Sequence, residues 1–215
     1  MSQGDGMLNN PWQGINLEIY ENHMKSDAVF QLQTLNLITK EQLESYGHET
    51  VGILGVAGGN GLDQIDLPTT KKIYGFDINK DYLDVCQNRY SYMGNTLELL
   101  QCDISDSTFT LPKTDLLIAN LIIEYVGDAT FVSLINQNRN QVEVVSCTIQ
   151  KKQADSFVSQ SNYTSAFEPL LSISYDADAK KLIDLFSTEK FSCLKIKEYA
   201  LPNGKKFIRL DFKKG

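Results

Sequence analysis

Four glycines fall within seven residues in the run Ile53-Leu54-Gly55-Val56-Ala57-Gly58-Gly59-Asn60-Gly61, directly behind an apolar stretch. Glycine reaches positive φ without a Cβ clash and lets another group approach the backbone closely. A strand that breaks into such a turn fits an open α/β sheet, where ligands bind outside the carboxyl ends of the strands. Asp77 closes the next apolar run, KKIYGFD, sixteen residues after Gly61. A carboxylate in that place accepts hydrogen bonds from the two hydroxyls of a ribose.

The rest of the chain repeats this texture. Apolar runs at 51–56, 71–77, 97–103, 115–120 and 141–149 read as five strands. Ser26 predicts a helix N-cap, and Val29, Leu32, Leu35 and Ile38 form an apolar stripe on a helix reaching about Tyr46. Asn79 predicts the cap of a helix through about Met93, ended by Gly94-Asn95, and another helix covers 128–138. The first 25 residues read as polar and irregular, and 150–175 as a loop with short helices. Residues 176–189 read as helical. Two alternating runs then flank Asn203-Gly204, the strongest short hairpin signal. Together these predict an α/β chain with a mainly parallel sheet ending in an antiparallel hairpin.

Composition narrows the function. Lys plus Arg is 20 and Asp plus Glu is 27 in 215 residues, a formal charge of −7. With no basic excess to displace counterions, nucleic acid and anionic membranes are not the expected partners. No apolar stretch reaches the ~18 residues of a membrane span. The opening MSQGDGMLNNPWQG lacks the basic start and apolar core of a signal peptide. Cys86, Cys102, Cys147 and Cys193 lie far apart, without zinc-ligand spacing. The expectation is a cytoplasmic chain with free thiols, no metal, and a monomeric or homodimeric state.

Nucleotide motifs can be tested one by one. No Gly-Lys-Ser/Thr of a phosphate-binding loop occurs, and Gly59-Asn60-Gly61 is followed by Gln64 where the dinucleotide pattern needs glycine. Gly55-x-x-x-Gly59-x-Gly61 has the spacing of short-chain dehydrogenases. Their Tyr-x-x-x-Lys pair is missing, because none of the ten tyrosines has lysine four residues later.

The ordered set of segments resembles the class I S-adenosylmethionine-dependent methyltransferases, over about residues 26–215. Leu54 to Gly61 overlays their first motif, with Gly55 in the usual acidic position and Ala57 in that of the first glycine. Asp77, in YGFDIN, matches the ribose-holding acid. Cys102-Asp103-Ile104 matches the segment that reads the adenine, and Asp115 to Asn120 the strand that passes the methyl group. The strings LGVAGGNGL (54–62) and NGKKFIRLDF (203–212) are similar to those of a group of small bacterial methyltransferase-like proteins. The resemblance implies a Rossmann-like fold: a mainly parallel seven-stranded sheet, helices on both faces, and a C-terminal antiparallel hairpin. It also implies that residues 1–46 cap the active site of a methyltransferase domain at 47–215.

The implied cofactor is S-adenosylmethionine, and the implied contacts are Tyr20, Met24, Gly55, Val56, Ala57, Gly58, Gly59, Gly61, Asp77, Ile78, Asp103, Ile104 and Asn120. Glu21 is a candidate acceptor for the cofactor's ammonium. Methyl transfer needs alignment and exclusion of water more than acid–base machinery. The catalytic candidates are Glu124 and Tyr125 after the fourth strand, and His23, whose ordinary titration range suits a base. Trp12, Tyr20, Tyr163 and Phe167 are candidates to line a pocket for a small-molecule acceptor. Two other readings stand beside this one: a non-catalytic cofactor-binding protein, motivated by Gly55 and Ala57, and an NAD(P)-dependent oxidoreductase.

Overall fold

Each apolar run forms a strand of one seven-stranded sheet in the computed structural model, which describes residues 10–151 and 158–215. The strands are β1 Thr50–Leu54, β2 Lys72–Asp77, β3 Leu97–Gln101, β4 Thr114–Asn120, β5 Val142–Lys151, β6 Phe191–Ala200 and β7 Lys206–Lys214. Their order is β3-β2-β1-β4-β5-β7-β6. Strands β1 to β5 pair in parallel, and β7 runs antiparallel to both β5 and β6. The hairpin turns at Asn203-Gly204, where Gly204 takes φ +81°.

Helices cover both faces, which is why β4 reads Leu116-Leu117-Ile118-Ala119 without polar alternation. On one face Val51, Ile53, Ile73, Leu116 and Ile118 meet Leu43 of α2 (Gln31–Ser45) and Leu83 and Cys86 of α3 (Lys80–Arg89). On the other, Leu54, Phe76 and Leu117 meet Phe131 and Ile135 of α5 (Asp128–Gln137) and Leu182 and Phe186 of α6 (Ala179–Thr188). A single turn, α4 (Ile123–Val126), precedes α5.

The structure departs from the sequence reading in several places. The segment before residue 26 contains a helix, α1 (Leu17–Lys25), whose Asn16 carboxamide accepts from the Glu18 and Ile19 N–H groups. Ser26 ends this helix rather than starting the next. Its hydroxyl donates back to the His23 carbonyl, and the chain turns through Phe30 at φ +54° before α2 begins. α3 stops at Arg89 and continues as 3-10 turns around Gly94. β1 ends two residues early because Gly55 leaves the strand at φ +70°. The connection from β1 to β2 carries only a 3-10 turn, Leu62–Gln64. Residues 1–9 and 152–157, parts of the expected cap and of the loop after the fifth strand, lie outside the described residues.

A layer of polar side chains lies between α2 and the strands beneath it. Arg209 and Asp211, two apart on β7, are fully buried and paired through both carboxylate oxygens at 2.8 and 2.6 Å. Tyr46 and Ser146 also donate to Asp211, and Arg209 donates to Ser45. Desolvating two charges is expensive, so removing one partner costs more than removing both. The replacement Arg209→Met is expected to lower unfolding stability by about 3–5 kcal/mol in urea titrations. The double variant Arg209→Met/Asp211→Leu is expected to lose less than the single one. A single variant within about 1 kcal/mol of the parent would remove the pair from the stability argument.

Candidate functional site

A cavity follows the carboxyl edge of the sheet from Asp103, just past β3, to Gln150 on β5. Between them, in strand order, lie Asp77 of β2, Gly55 after β1 and Asn120 of β4. At about 4.8 Å per strand these five strands span roughly 19 Å.

Asp77 organises the first end. Its Oδ2 accepts from the Ala57 N–H and its Oδ1 from the Asn79 N–H, both at 2.9 Å. Burial pushes its carboxyl up, while the N–H groups of Asn79, Ala57 and Ile78 favour the charge. Ile78, Asp103 and Ile104 line the same end. Asp103 is exposed, and its Oδ1 accepts from the Ser105 N–H and hydroxyl at 2.8 and 2.6 Å.

The glycine turn shows the cavity only part of itself. Gly55 and Ala57 line it, whereas Val56, Gly58, Gly59 and Gly61 do not and instead shape the turn from behind. Val56 is buried in the core, and Gly58 backs onto Glu21, Arg89 and Leu17. A Cβ on Gly59 would lie 2.1 Å from the Tyr90 ring, and one on Gly61 2.6 Å from Thr39. Ala57 adopts φ +48°, which for a residue with a Cβ costs roughly 1–2 kcal/mol. A Cβ on Gly55 would lie 2.4 Å from Ile122 Cδ1, so Ile122 occupies the room that an acidic side chain would need.

Glu21 is not available as the expected ammonium acceptor. Both its oxygens bind the Arg89 guanidinium, which also donates to the Gly58 carbonyl.

Residues from the N-terminal segment wall the cavity. The Trp12 carbonyl accepts from Asn79 Nδ2 at 2.9 Å, joining this segment to the end of β2. The Trp12 ring meets Tyr20 and Tyr125 edge-on, at 5.8 and 4.9 Å between centroids. Tyr20 accepts from Asn60 and stacks on Tyr82. Met24 lines the cavity and packs with α2 and the hairpin. Phe167 lines it too, while Tyr163 packs behind in the same apolar cluster.

Asn120 and Gln42 of α2 exchange hydrogen bonds at 3.0 Å, and Asn120 also donates to Thr39. Its side chain is thereby pinned against α2. Leu121 follows at φ +57°, so Ala57 and Leu121, both strained at positive φ, flank the middle of the cavity.

The three catalytic candidates also line the cavity, but they differ as acids and bases. His23 is buried, with Nδ1 2.7 Å from the Ser161 hydroxyl and its ring 4.5 Å from Phe167. Burial, aided by the Lys205 charge, brings it down to about 4, which corrects the expectation that it titrates near neutrality. Burial pushes the Tyr125 phenol upward, so it stays protonated. Glu124 is buried as well, and its Oε1 accepts from the Gln150 N–H. Its Oε2 has no hydrogen-bond partner among the described residues. Burial, reinforced by Asp128, pushes this carboxyl up to about 7 against the hydrogen bond from Gln150.

Sequence reasoning missed the polar groups beside Glu124. Gln31 donates to Gln150 Oε1 at 2.6 Å and to Ser159 at 3.4 Å, and all three line the cavity. Polar residues in unremarkable contexts give no sequence signal of this kind. Among the described residues no cluster of three His, Cys, Asp or Glu could hold a metal ion, and no helix is long and apolar enough to cross a membrane.

No protein-family model matches the chain, and no curated protein matches it. Solved structures do. Magnesium protoporphyrin IX methyltransferase (ChlM) from Synechocystis PCC 6803, with bound SAH, superposes with a TM-score of 0.67 at 11% identity, over 92% of this chain and 94% of that one. An S-adenosylmethionine-dependent methyltransferase from Clostridium acetobutylicum gives 0.63 at 13% identity, over 92% and 97%. The [4+2]-cyclase SpnF gives 0.63 at 11% identity, over 90% and 85%. The strand order, the reversed β7 and these superpositions together establish that the chain has the class I S-adenosylmethionine-dependent methyltransferase fold.

Proposed function

We propose that this chain is an S-adenosylmethionine-dependent methyltransferase acting on a small-molecule acceptor. The observation that carries the reading is one cavity with Asp77 at the end of β2 and the buried carboxyl of Glu124 beyond β4. The first end fits an adenosyl group. Asp77 holds the ribose hydroxyls, Ile78 and Ile104 flank the adenine, and Asp103 accepts from its amine. The methionine end falls to the backbone of Gly55 and Ala57 and to Tyr20, because Ile122 fills the place of the usual acid. Bound there, the cofactor supplies an electrophilic methyl group on a positively charged sulfur.

The protein's own part is to align and to exclude water. Trp12, Tyr20 and Phe167 wall the cavity against solvent, which suits a small molecule better than a polymer. The acidic chain adds no attraction for nucleic acid. Glu124 takes the proton that an acceptor must lose, since a carboxyl near 7 is matched to that task. His23 stays neutral and orients rather than accepts. A second reading, binding without transfer, is favoured by Ile122 in the acid's place; SpnF, named as a cyclase, also warns that this fold carries other activities.

Calorimetric titration separates these readings. S-adenosylmethionine and S-adenosylhomocysteine are expected to bind saturably, and NAD(H) and NADP(H) not. Asp77→Ala should weaken adenosyl binding at least tenfold, about 1.4 kcal/mol. Nicotinamide binding alone, or no binding, would sink the proposal. Retention of label on methyl-labelled cofactor across a broad acceptor screen would favour the non-catalytic reading.

Glu124 gives a pH prediction with a definite sign. Its folded value of about 7 lies above its ordinary 4.5, so the folded state holds a proton that the unfolded state releases. Stability therefore falls as pH rises from about 4.5 to 7, by about 3 kcal/mol. His23, lowered from 6.5 to about 4, acts oppositely in an overlapping window, so variant and parent must be compared. Glu124→Gln is expected to remove the first slope in denaturant melts and to lower turnover roughly 10²–10⁴-fold. An unchanged pH–stability curve would contradict the buried-carboxyl assignment.

A further inference from the structure

We propose that the acceptor is a phenol, a hydroxyl on a planar aromatic ring, lodged among Trp12, Tyr125 and Phe167 with its O–H donated to Glu124. The inference rests on the methyltransferase reading and adds the chemistry of the acceptor.

Three observations carry it. The first is the unmet hydrogen bond. At this end of the cavity the Gln31 amide donates to Gln150 Oε1, and the Gln150 backbone N–H donates to Glu124 Oε1. Glu124 Oε2 is left buried with no partner among the described residues. A buried acceptor without a donor is costly, and a ligand O–H removes that cost. The second is shape. Trp12 and Tyr125 meet edge-on at 4.9 Å, with Phe167 and Leu170 also lining the cavity. Aromatic rings at such angles offer a flat ligand both a face and an edge.

The third is charge. A carboxylate or phosphate acceptor would set like charge against Glu124, with Asp128 of α5 behind it. Among the described residues no Lys or Arg lines the cavity, and the nearby cations act elsewhere, Lys205 on His23 and Lys181 on Asp128. An amine acceptor needs no base in the transfer step, where the charge lost from sulfur appears on nitrogen, and its proton leaves only afterwards. A phenol removes charge instead. Its oxygen bonds to the methyl carbon, the carbon–sulfur bond breaks with its electron pair left on sulfur, and the phenolic proton ends on Glu124 Oε2. A sulfonium and a carboxylate become a thioether and a carboxylic acid, both neutral. A desolvated cavity favours the path on which opposite charges disappear.

The test uses four compounds that differ in one feature each: phenol, aniline, benzoate and cyclohexanol. Each is titrated calorimetrically into protein saturated with S-adenosylhomocysteine, and each is incubated with methyl-labelled S-adenosylmethionine. Phenol is expected to bind at least tenfold tighter than the other three and to be the compound that gains label, as its methyl ether. Glu124→Gln should weaken phenol binding about tenfold with S-adenosylhomocysteine binding retained. Phe167→Leu, which keeps an apolar side chain, should lower phenol affinity without bringing cyclohexanol below its parent value. Tighter binding of aniline or benzoate, phenol binding indifferent to both variants, or no binding of phenol to the saturated protein would overturn the proposal. Failure of S-adenosylhomocysteine to bind at all would instead remove the methyltransferase reading, and the phenol assignment with it.

Discussion

The Asp77 carboxylate is the joint on which the site turns. One oxygen accepts from Ala57 in the glycine turn and the other from Asn79 at the head of α3. Asn79 in turn caps α3 through its Oδ1 and reaches Trp12 through its Nδ2. Two backbone N–H bonds to Asp77 thus tie the end of β2 to the turn after β1 and to the start of a helix, and a third from the Asn79 side chain adds the N-terminal segment. Charge-assisted bonds of this kind are stronger than neutral ones, and here they act where burial opposes the charge.

The glycine turn shows how a departure from a familiar pattern is absorbed by its surroundings. With no side chain at Gly55, Ile122 moves into the space, and an electrostatic anchor is replaced by an apolar contact. Ala57 keeps the left-handed conformation that glycine usually supplies, held there by its bond to Asp77. Leu121 is strained on the facing strand end. Strain persists only where neighbours over-determine the backbone, and both residues line the cavity.

Beneath α2 the fold accepts a different burden. A helix that covered the sheet with apolar side chains alone would avoid desolvation cost, yet Gln42, Asn120, Ser146, Arg209 and Asp211 form a connected polar layer there. Each of these bonds crosses between α2, β4, β5 and β7 or stiffens one of them. The layer fixes the position of α2, and through Asn120 the wall of the cavity that β4 contributes.

The strands were legible in the sequence to within two residues at their ends, and so was Asp77. Strands covered on both faces must be apolar throughout, and turns that leave them need glycine or polar caps. Other features were not. Ser26 has the chemistry of an N-cap and sits at a helix C-terminus, because a hydroxyl can bond backward as readily as forward. Glu21 carries the charge an ammonium needs, but Arg89 reaches it first from 68 residues away. His23 and Glu124 have ordinary values near 6.5 and 4.5, and burial moves them in opposite directions, past each other. The residues alone determined where the strands and the closing hairpin fall along the chain, and that Asp77 ends the second strand. Only the packing of residues 10–25 and of the chain from Val158 onward over the cavity decided which side chains lose water, and desolvation, not residue type, sets which carboxyl can take a proton.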